Sequence, residues 1–463
     1  MSASRSLDGA SLRASAFALR EGQDYVAAER LFAAGSAALP NDAALAFGLA
    51  QTRYELGHDA ADLFARAESL VPNHPDIVRN HALALISEGR QAEARDLLES
   101  RLARHPDWLD GHKALATLNW TSGDKTGFTD HLAAACRAMP HAQPLWMAWF
   151  GNLAQARAWL AAEQVLDEAE RHLGALPAIE VSRLFVAVES EAADAQARID
   201  STAQYRGDIA SLCRIRHALR RGEPHRAEAE ALPLTSGASA ALYWPYLSLA
   251  WRLLNDPRAQ WLDRPDELIR TFDCGWSTEE LENLARTLRA LHTAQEPYIE
   301  QSVRGGTQTD RSVLLRHEPA LQDIKARLLD LMRDYIGSLP PHDPGHPLLS
   351  APRAGRLPIT GSWSVRLASQ GYNVPHTHAM GWLSTAFYVA LPDPERMGQP
   401  PAGHIAFGAP PVELGLDLEP YRTIAPLAGR LAVFPSTMWH GTVPFDEGER
   451  LVIAFDIGKP TKP

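Results

Sequence analysis

Three histidines and one arginine near the end of the chain have the spacing of a metal site. His376 and His378 stand two residues apart in "GYNVPHTHAMGWLSTAFYVALP". His440 follows about sixty residues later in "FPSTMWHGTVPF", and Arg450 comes ten residues after it, at the start of "RLVIAFDIG". Side chains at i and i+2 of a strand share one face, so the first pair can aim at a common point. A third imidazole from a facing strand then closes a triangle around one metal ion and leaves positions open. Such a facial set suits non-haem Fe(II), which needs open positions for a co-substrate and for O2. A guanidinium close by offers a bidentate grip on a carboxylate.

The text around these residues is that of β-strands. "GSWSVRLAS" alternates Trp363, Val365 and Leu367 against Ser362, Ser364, Arg366 and Ala368. "STAFYVALP", "HIAFGAPP", "GRLAVFPS" and "RLVIAFDIG" are short, apolar and bounded by Gly or Pro. Five such strands without intervening helices predict a β-sandwich or jelly roll. Upstream, "STEELENLARTLRALH" opens with Ser277 and has Glu280 three residues on, the pattern of a helix capping box. "PALQDIKARLLDLMRDYIGSLP" spaces Leu321, Ile324, Leu328, Leu331 and Tyr335 as one face of an amphipathic helix. "QSVRGGTQTD", residues 301–310, reads as a polar loop, a lid or a connector.

The first half repeats itself. Pro40, Pro72, Pro106 and Pro140 recur at steps of 32 to 34 residues, with a looser copy at Pro177. Gly22, Gly57, Gly89 and Gly123 precede the first four prolines, and Ala28, Ala60 and Ala94 stand twelve before the first three, with Phe128 at the fourth place. This is a helical hairpin: glycine ends helix A in a left-handed cap, alanine lets the helices approach, and proline stops helix B. In "QAEARDLLESRLARHP", Ala94, Leu97, Leu98 and Leu102 lie on one side. The period resembles the tetratricopeptide repeat over residues 8–180. Helical text continues to about 255 with the period lost, and "NDPRAQWLDRPDE" then breaks it.

The order of the histidines, the β texture and the arginine resemble the 2-oxoglutarate/Fe(II)-dependent dioxygenases. "QSVRGGTQT", "GSWSVRL", "HTHAMGWLSTAFYVALP", "FPSTMWHGT" and "ERLVIAFDIG" are similar to a bacterial branch with tetratricopeptide repeats before the oxygenase domain. The resemblance implies His376, His378 and His440 as metal ligands, Arg450 as the grip on the far carboxylate of 2-oxoglutarate, and Tyr388 as its helper. It names no catalytic residue beyond the metal site. It implies Fe(II), 2-oxoglutarate and O2, with ascorbate in support, and oxidative decarboxylation coupled to hydroxylation of an aliphatic C–H. The family usually has Asp or Glu where His378 stands. A three-histidine site is one negative charge poorer, and His378 as a bystander would leave a two-histidine or inactive site.

The expected fold is therefore multidomain: an N-terminal all-α tetratricopeptide-like solenoid followed by a C-terminal double-stranded β-helix (jelly roll) with flanking helices. Residues 1–255 form the repeat domain, 256–350 the linking helices and the first part of the oxygenase domain, and 351–463 its core. A solenoid surface commonly holds an extended segment, so the expected substrate is a peptide or protein. The rivals are a repeat adaptor with a degenerate oxygenase domain, and a three-histidine iron dioxygenase that does not use 2-oxoglutarate. The net charge is −11, from 45 basic and 56 acidic residues, which argues against nucleic acid as partner. No apolar run is long enough for a membrane span. Cys136, Cys213 and Cys274 are scattered and form no zinc pattern. With no signal-peptide pattern, the expected location is cytoplasmic. No phosphate loop, nucleophile elbow or dinucleotide fingerprint is present. His404 reads as structural, Trp363, Trp382 and Trp439 as core, and Arg366 as either cavity or solvated face.

Overall fold

Helical hairpins build the N-terminal part of the computed structural model, which describes residues 9–461 apart from 274, 295 and 300. The reading of Cys274 lies outside the described residues. The first four hairpins pair Gly9–Glu21 with Tyr25–Ala38, Ala43–Leu56 with Ala61–Leu70, Pro75–Ser87 with Gln91–Leu102, and Leu109–Thr121 with Asp130–Ala138. Asp24 and Asp42 cap two of these helices, their carboxylates accepting from Ala27 N–H at 3.1 Å and Leu45 N–H at 3.0 Å. Ala28, Ala60 and Ala94 are buried where the helices of a hairpin meet. At the fourth place Phe128 is buried instead and packs edge-on to Trp120, 5.1 Å between ring centres.

Each first helix ends in a left-handed residue. Gly57, Gly89 and Gly123 have φ of 83°, 78° and 93°. In the first hairpin that place falls to Gln23, at φ 61°, one residue past the expected Gly22. The same conformation returns at Arg157, Glu191, Gly222 and Asn255, so steps of 31–34 residues run on to 255. The hairpin period therefore does not fade at 180, although Arg157, Glu191 and Asn255 take the place of glycine at its left-handed positions. A left-handed L-residue costs about 1–2 kcal/mol, and packing of the helices it joins offsets that cost.

The chain divides into two compact units, residues 1–152 with 314–322 and residues 153–313 with 323–463. Boundaries at 255 and 350 mark changes of texture; compactness divides the chain at 153. In the first unit, Ala50, Phe64, Leu85, Leu98 and Leu115 share one core cluster. The His317 N–H donates to Leu56 O at 2.9 Å, which ties 314–322 to these hairpins.

In the second unit, a six-stranded antiparallel sheet runs β1-β7-β4-β9-β3-β2, and a three-stranded one runs β6-β5-β8. The strands are β1 (Arg270–Asp273), β2 (Val303–Gln308), β3 (Ile359–Asn373), β4 (Leu383–Ala390), β5 (Ile405–Phe407), β6 (Arg422–Ile424), β7 (Arg430–Pro435), β8 (His440–Thr442) and β9 (Arg450–Ile457). Together they form the jelly roll. Helix Thr278–Leu291 packs against β4, and its capping box of Ser277 and Glu280 is formed. Trp276, just before that helix, packs edge-on to Phe387, 5.5 Å between ring centres. The helix Pro319–Gly337 buries Leu321, Ile324, Leu328 and Tyr335 as expected, with Met332 rather than Leu331 completing the face.

The stretch 301–310 contains strand β2, paired with β3, and not only a loop. Its glycines hid it, because glycine is unfavourable inside strands. Here Gly306 is required: a Cβ would stand 2.3 Å from the Arg366 carbonyl oxygen across the ladder. Gly305, at φ 68°, makes the register shift beside it.

His292 joins β2 to β3. Its Nδ1 lies 2.8 Å from Thr307 Oγ1 and its Nε2 3.0 Å from Ser364 Oγ. Burial, with Arg366 as a second cause, lowers its pKa to about 4. Folded His292 is therefore neutral where the unfolded residue, near 6.5, takes up a proton. Its contribution is intact above about pH 6.5 and is lost as pH falls towards 4, on the order of 1–3 kcal/mol. Urea unfolding at pH 7.5 and 4.5 should show a smaller acid loss in His292→Gln than in the native protein.

The helices between 153 and 263 are part of the core around the small sheet. Trp439 Nε1–H donates to Pro245 O at 2.9 Å, and Trp439 and Leu414 share a core cluster with Leu247, Leu249 and Trp251. Arg220 Nε donates to Glu413 O at 2.7 Å. A fragment of residues 256–463 should thus fail to fold, although it keeps every histidine and the arginine discussed above. Circular dichroism and Co(II) titration of that fragment check this, with a cooperative melt and metal binding as the contrary result.

Candidate active site

The cavity lies between the two sheets. It is lined by Trp363, Val365 and Asn373 of β3, by Arg450, Val452 and Ala454 of β9, and by His376, His378 and His440. Strand alternation explains the β9 set, since residues two apart share a face. Register agrees: Trp363 is opposite Ala454 and Val365 opposite Val452.

The two nearer histidines are not on a regular strand. His376 forms a single β-bridge with His440, with N–H to carbonyl bonds of 2.9 and 3.1 Å in the two directions. The His378 N–H donates to Ser436 O at 2.8 Å. The segment 376–378 therefore runs antiparallel to 436–440, and the expected i, i+2 alternation survives without a strand. His440 opens β8 of the small sheet, so the chain's passage from β7 to β8 brings it to the same point.

One ligand atom from each of the three rings lies within 4.8 Å of the others. Ring centres are 5.0 Å apart for His376 and His378, 4.3 Å for His376 and His440, and 5.1 Å for His378 and His440. His376 Nδ1 lies 2.7 Å from Val374 O, and His440 Nδ1 2.9 Å from Met438 O. A carbonyl only accepts, so each Nδ1 carries the proton and each Nε2 keeps its lone pair. His378 Nδ1 lies 2.8 Å from Asp456, which orients that ring in the same sense. Burial pushes His376 down to about 3, with His378 as the next cause. Burial also holds His440 well below its ordinary value. Neutral imidazoles with free Nε2 atoms are what a metal ion requires.

Arg450 is 3% exposed and Tyr388 fully buried. The guanidinium carbon is 4.9 Å from the Tyr388 ring centre. The guanidinium and the Tyr388 hydroxyl face each other, and among the described residues neither Arg450 Nε nor that hydroxyl has a further hydrogen-bond partner. The neighbouring acids are engaged elsewhere: Glu449 with Arg289 and Arg366, at 2.7 and 2.5 Å, and Glu447 with Arg396 at 3.4 Å. A buried cation without an anion is costly, and burial lowers the Arg450 pKa accordingly. Arg366 belongs to the solvated face. Trp363 lines the cavity and meets His378 edge-on at 5.4 Å, whereas Trp382 donates to Leu348 O at 3.1 Å within the core.

Residues 361–456 match the model of a family described as "Putative 2OG-Fe(II) oxygenase". The C-terminal jelly roll is a 2OG-Fe(II) oxygenase domain. Its cofactor set is Fe(II), 2-oxoglutarate and O2. No curated protein matches the chain. Among solved structures, a Pseudomonas putida prolyl-4-hydroxylase is similar at 14% identity over 42% of this chain and 95% of that one, TM-score 0.29. HygX from Streptomyces hygroscopicus, with nickel, 2-oxoglutarate and hygromycin B bound, is similar at 13% identity, over 42% and 84%, TM-score 0.29. A tetratricopeptide repeat protein from Parabacteroides merdae is similar at 14% identity, over 53% and 97%, TM-score 0.34.

The oxygenase domain's residues fit these groups. One nitrogen from each of three rings meets within 4.8 Å, and among the described residues the buried guanidinium beside the Tyr388 phenol has no carboxylate partner. Sequence reasoning missed Asp456, Ser384 and Asn373. Asp456 was within reach of it: counting by twos from Arg450 along "RLVIAFD" gives Val452, Ala454 and Asp456 on one face. Among the described residues no helix is long and apolar enough to cross a membrane.

Proposed function

We propose that the protein hydroxylates an aliphatic C–H of a peptide or protein substrate held by its helical repeats, with iron on His376, His378 and His440. Arg450 grips the carboxylate of 2-oxoglutarate that lies away from the iron, and the Tyr388 hydroxyl donates a second hydrogen bond to it. The observation that carries this reading is the buried Arg450–Tyr388 set, without an acidic partner among the described residues, on the strands that also line the histidine cavity. With iron bound, the group supplies O2 activation driven by decarboxylation of 2-oxoglutarate to succinate.

The chain's own residues do the rest. Val374 and Met438 carbonyls fix the rings of His376 and His440, so their Nε2 atoms stay aimed. Val365, Val452, Ala454 and Phe434 make the walls apolar, which excludes water and strengthens the arginine's hold on a carboxylate. The repeats support a peptide substrate, because stacked hairpins commonly present an extended surface to a chain segment. Incubation with a proteome, Fe(II), 2-oxoglutarate and isotopically heavy O2 tests this. The expected result is heavy oxygen on aliphatic carbons of a defined peptide set. Heavy oxygen on small molecules alone, with succinate still formed, would overturn the assignment of a peptide substrate.

A further inference from the structure

The metal triangle of three imidazoles has no carboxylate among its ligand atoms, and a buried carboxylate stands directly behind one of them. Asp456 is 6% exposed, next to the C-terminal end of β9. Both its oxygens lie 2.8 Å from His378 Nδ1. Ser384, fully buried and opposite Asp456 in the β4–β9 register, donates to Oδ1 at 2.7 Å. Ser384 Oγ is 2.8 Å from Ser436 Oγ, and the Ser436 carbonyl accepts from the His378 N–H. The pocket is tightly built: a Cβ on Gly381 would stand 2.4 Å from Ser436 Oγ and 3.2 Å from Asp456 Cβ.

Among the described residues the ion-pair partner of Asp456 is His378. A carboxylate this deeply buried is costly unless it faces positive charge. A cation on Nε2 of the same ring would provide it, through an imidazole whose Nδ1–H points at Asp456. The Ser384 hydroxyl, itself beside Ser436 Oγ, holds the carboxylate in place and leaves its oxygens on the ring.

We propose that Asp456 is a positioning residue that supplies, one bond removed through His378, the negative charge this metal site lacks. The proposal rests on the reading of the three histidines as iron ligands. Asp456 draws on the His378 Nδ1–H, enriches Nε2 as a donor, and locks the ring in the ligating orientation. The carboxylate thus acts from behind a histidine instead of touching the metal.

The test is Co(II) titration, by competition with a chelator, of the native protein, His378→Ala and Asp456→Asn. Asparagine keeps the size and one acceptor oxygen and removes the charge. Loss of a supporting partner typically weakens metal binding roughly 10–100-fold, and that loss is expected for Asp456→Asn. The Fe(III)/Fe(II) midpoint potential should rise in the same variant, because the ferric ion loses more than the ferrous ion when negative charge is removed. A purely structural aspartate would lower the melting temperature and leave both readouts of the folded protein unmoved. Native Co(II) binding that His378→Ala weakens, with Asp456→Asn within threefold of native and at the native potential, overturns the Asp456 role alone. Absence of native binding, or His378→Ala at native affinity, overturns the ligand reading and the proposal together. Should Asp456→Asn fail to fold, NMR of the native Zn(II) form decides. The His378 Nδ1 proton is expected well downfield of those of His376 and His440, which donate to neutral carbonyls; equal shifts overturn the charge role.

Discussion

Arg450→Ala should raise the KM for 2-oxoglutarate by about two orders of magnitude or more while leaving metal affinity nearly unchanged. The side chain is buried, and among the described residues it has no acidic partner, since Glu447 and Glu449 pair with other arginines. A surface arginine pair is worth under about 1 kcal/mol. Breaking a buried arginine–carboxylate contact costs on the order of 3–5 kcal/mol, because one charge is stranded without solvent. At about 1.4 kcal/mol per tenfold, that is a hundredfold change or more. Arg450→Lys should fall between, with the charge kept and the planar fork lost. Steady-state kinetics with 2-oxoglutarate varied gives the answer. A shift below about threefold, under 1 kcal/mol, would remove Arg450 from the co-substrate site.

Much of this site was legible in the sequence because its parts obey local rules. The i, i+2 spacing of His376 and His378 survives even though the segment is a bridge and not a strand, since backbone pairing with 436–440 enforces the same alternation. Ser277 and Glu280 formed their cap because a capping box depends only on residues three apart. What depended on distant neighbours stayed hidden. β2 looked like a loop because Gly305 and Gly306 lower strand propensity, and the reason for Gly306 is a carbonyl on another strand. The repeat period was not visible beyond 180, where Glu191 and Asn255 stand in place of glycine at left-handed positions. Nothing local announced that Trp439 would donate to Pro245, nearly two hundred residues earlier, and so tie the later helices to the small sheet. Asp456 belonged to a visible alternation, but its meaning required the position of His378.

The second large effect concerns the metal itself. His440→Ala should reduce Co(II) or Fe(II) affinity by well over a hundredfold, beyond the roughly 10–100-fold typical of losing a mere supporting partner. His440 is the ligand candidate contributed by the small sheet, and without it two rings remain on a short segment. Its removal also empties the space beside Phe434, whose ring centre is 4.6 Å away, so a melt of the metal-free variant must accompany the titration. A folded His440→Ala protein that binds one metal ion with native affinity would contradict the assignment of the triangle.

The most direct measurement of the central claim is succinate formation from 2-oxoglutarate by the purified full chain, with and without Fe(II), beside Arg450→Ala and His440→Ala. The expected result is iron-dependent succinate from the native protein, restored in Arg450→Ala only at greatly raised 2-oxoglutarate and lost in His440→Ala. A native protein that binds Fe(II) at the three histidines yet forms no succinate at any 2-oxoglutarate concentration, with or without added peptides, would contradict it.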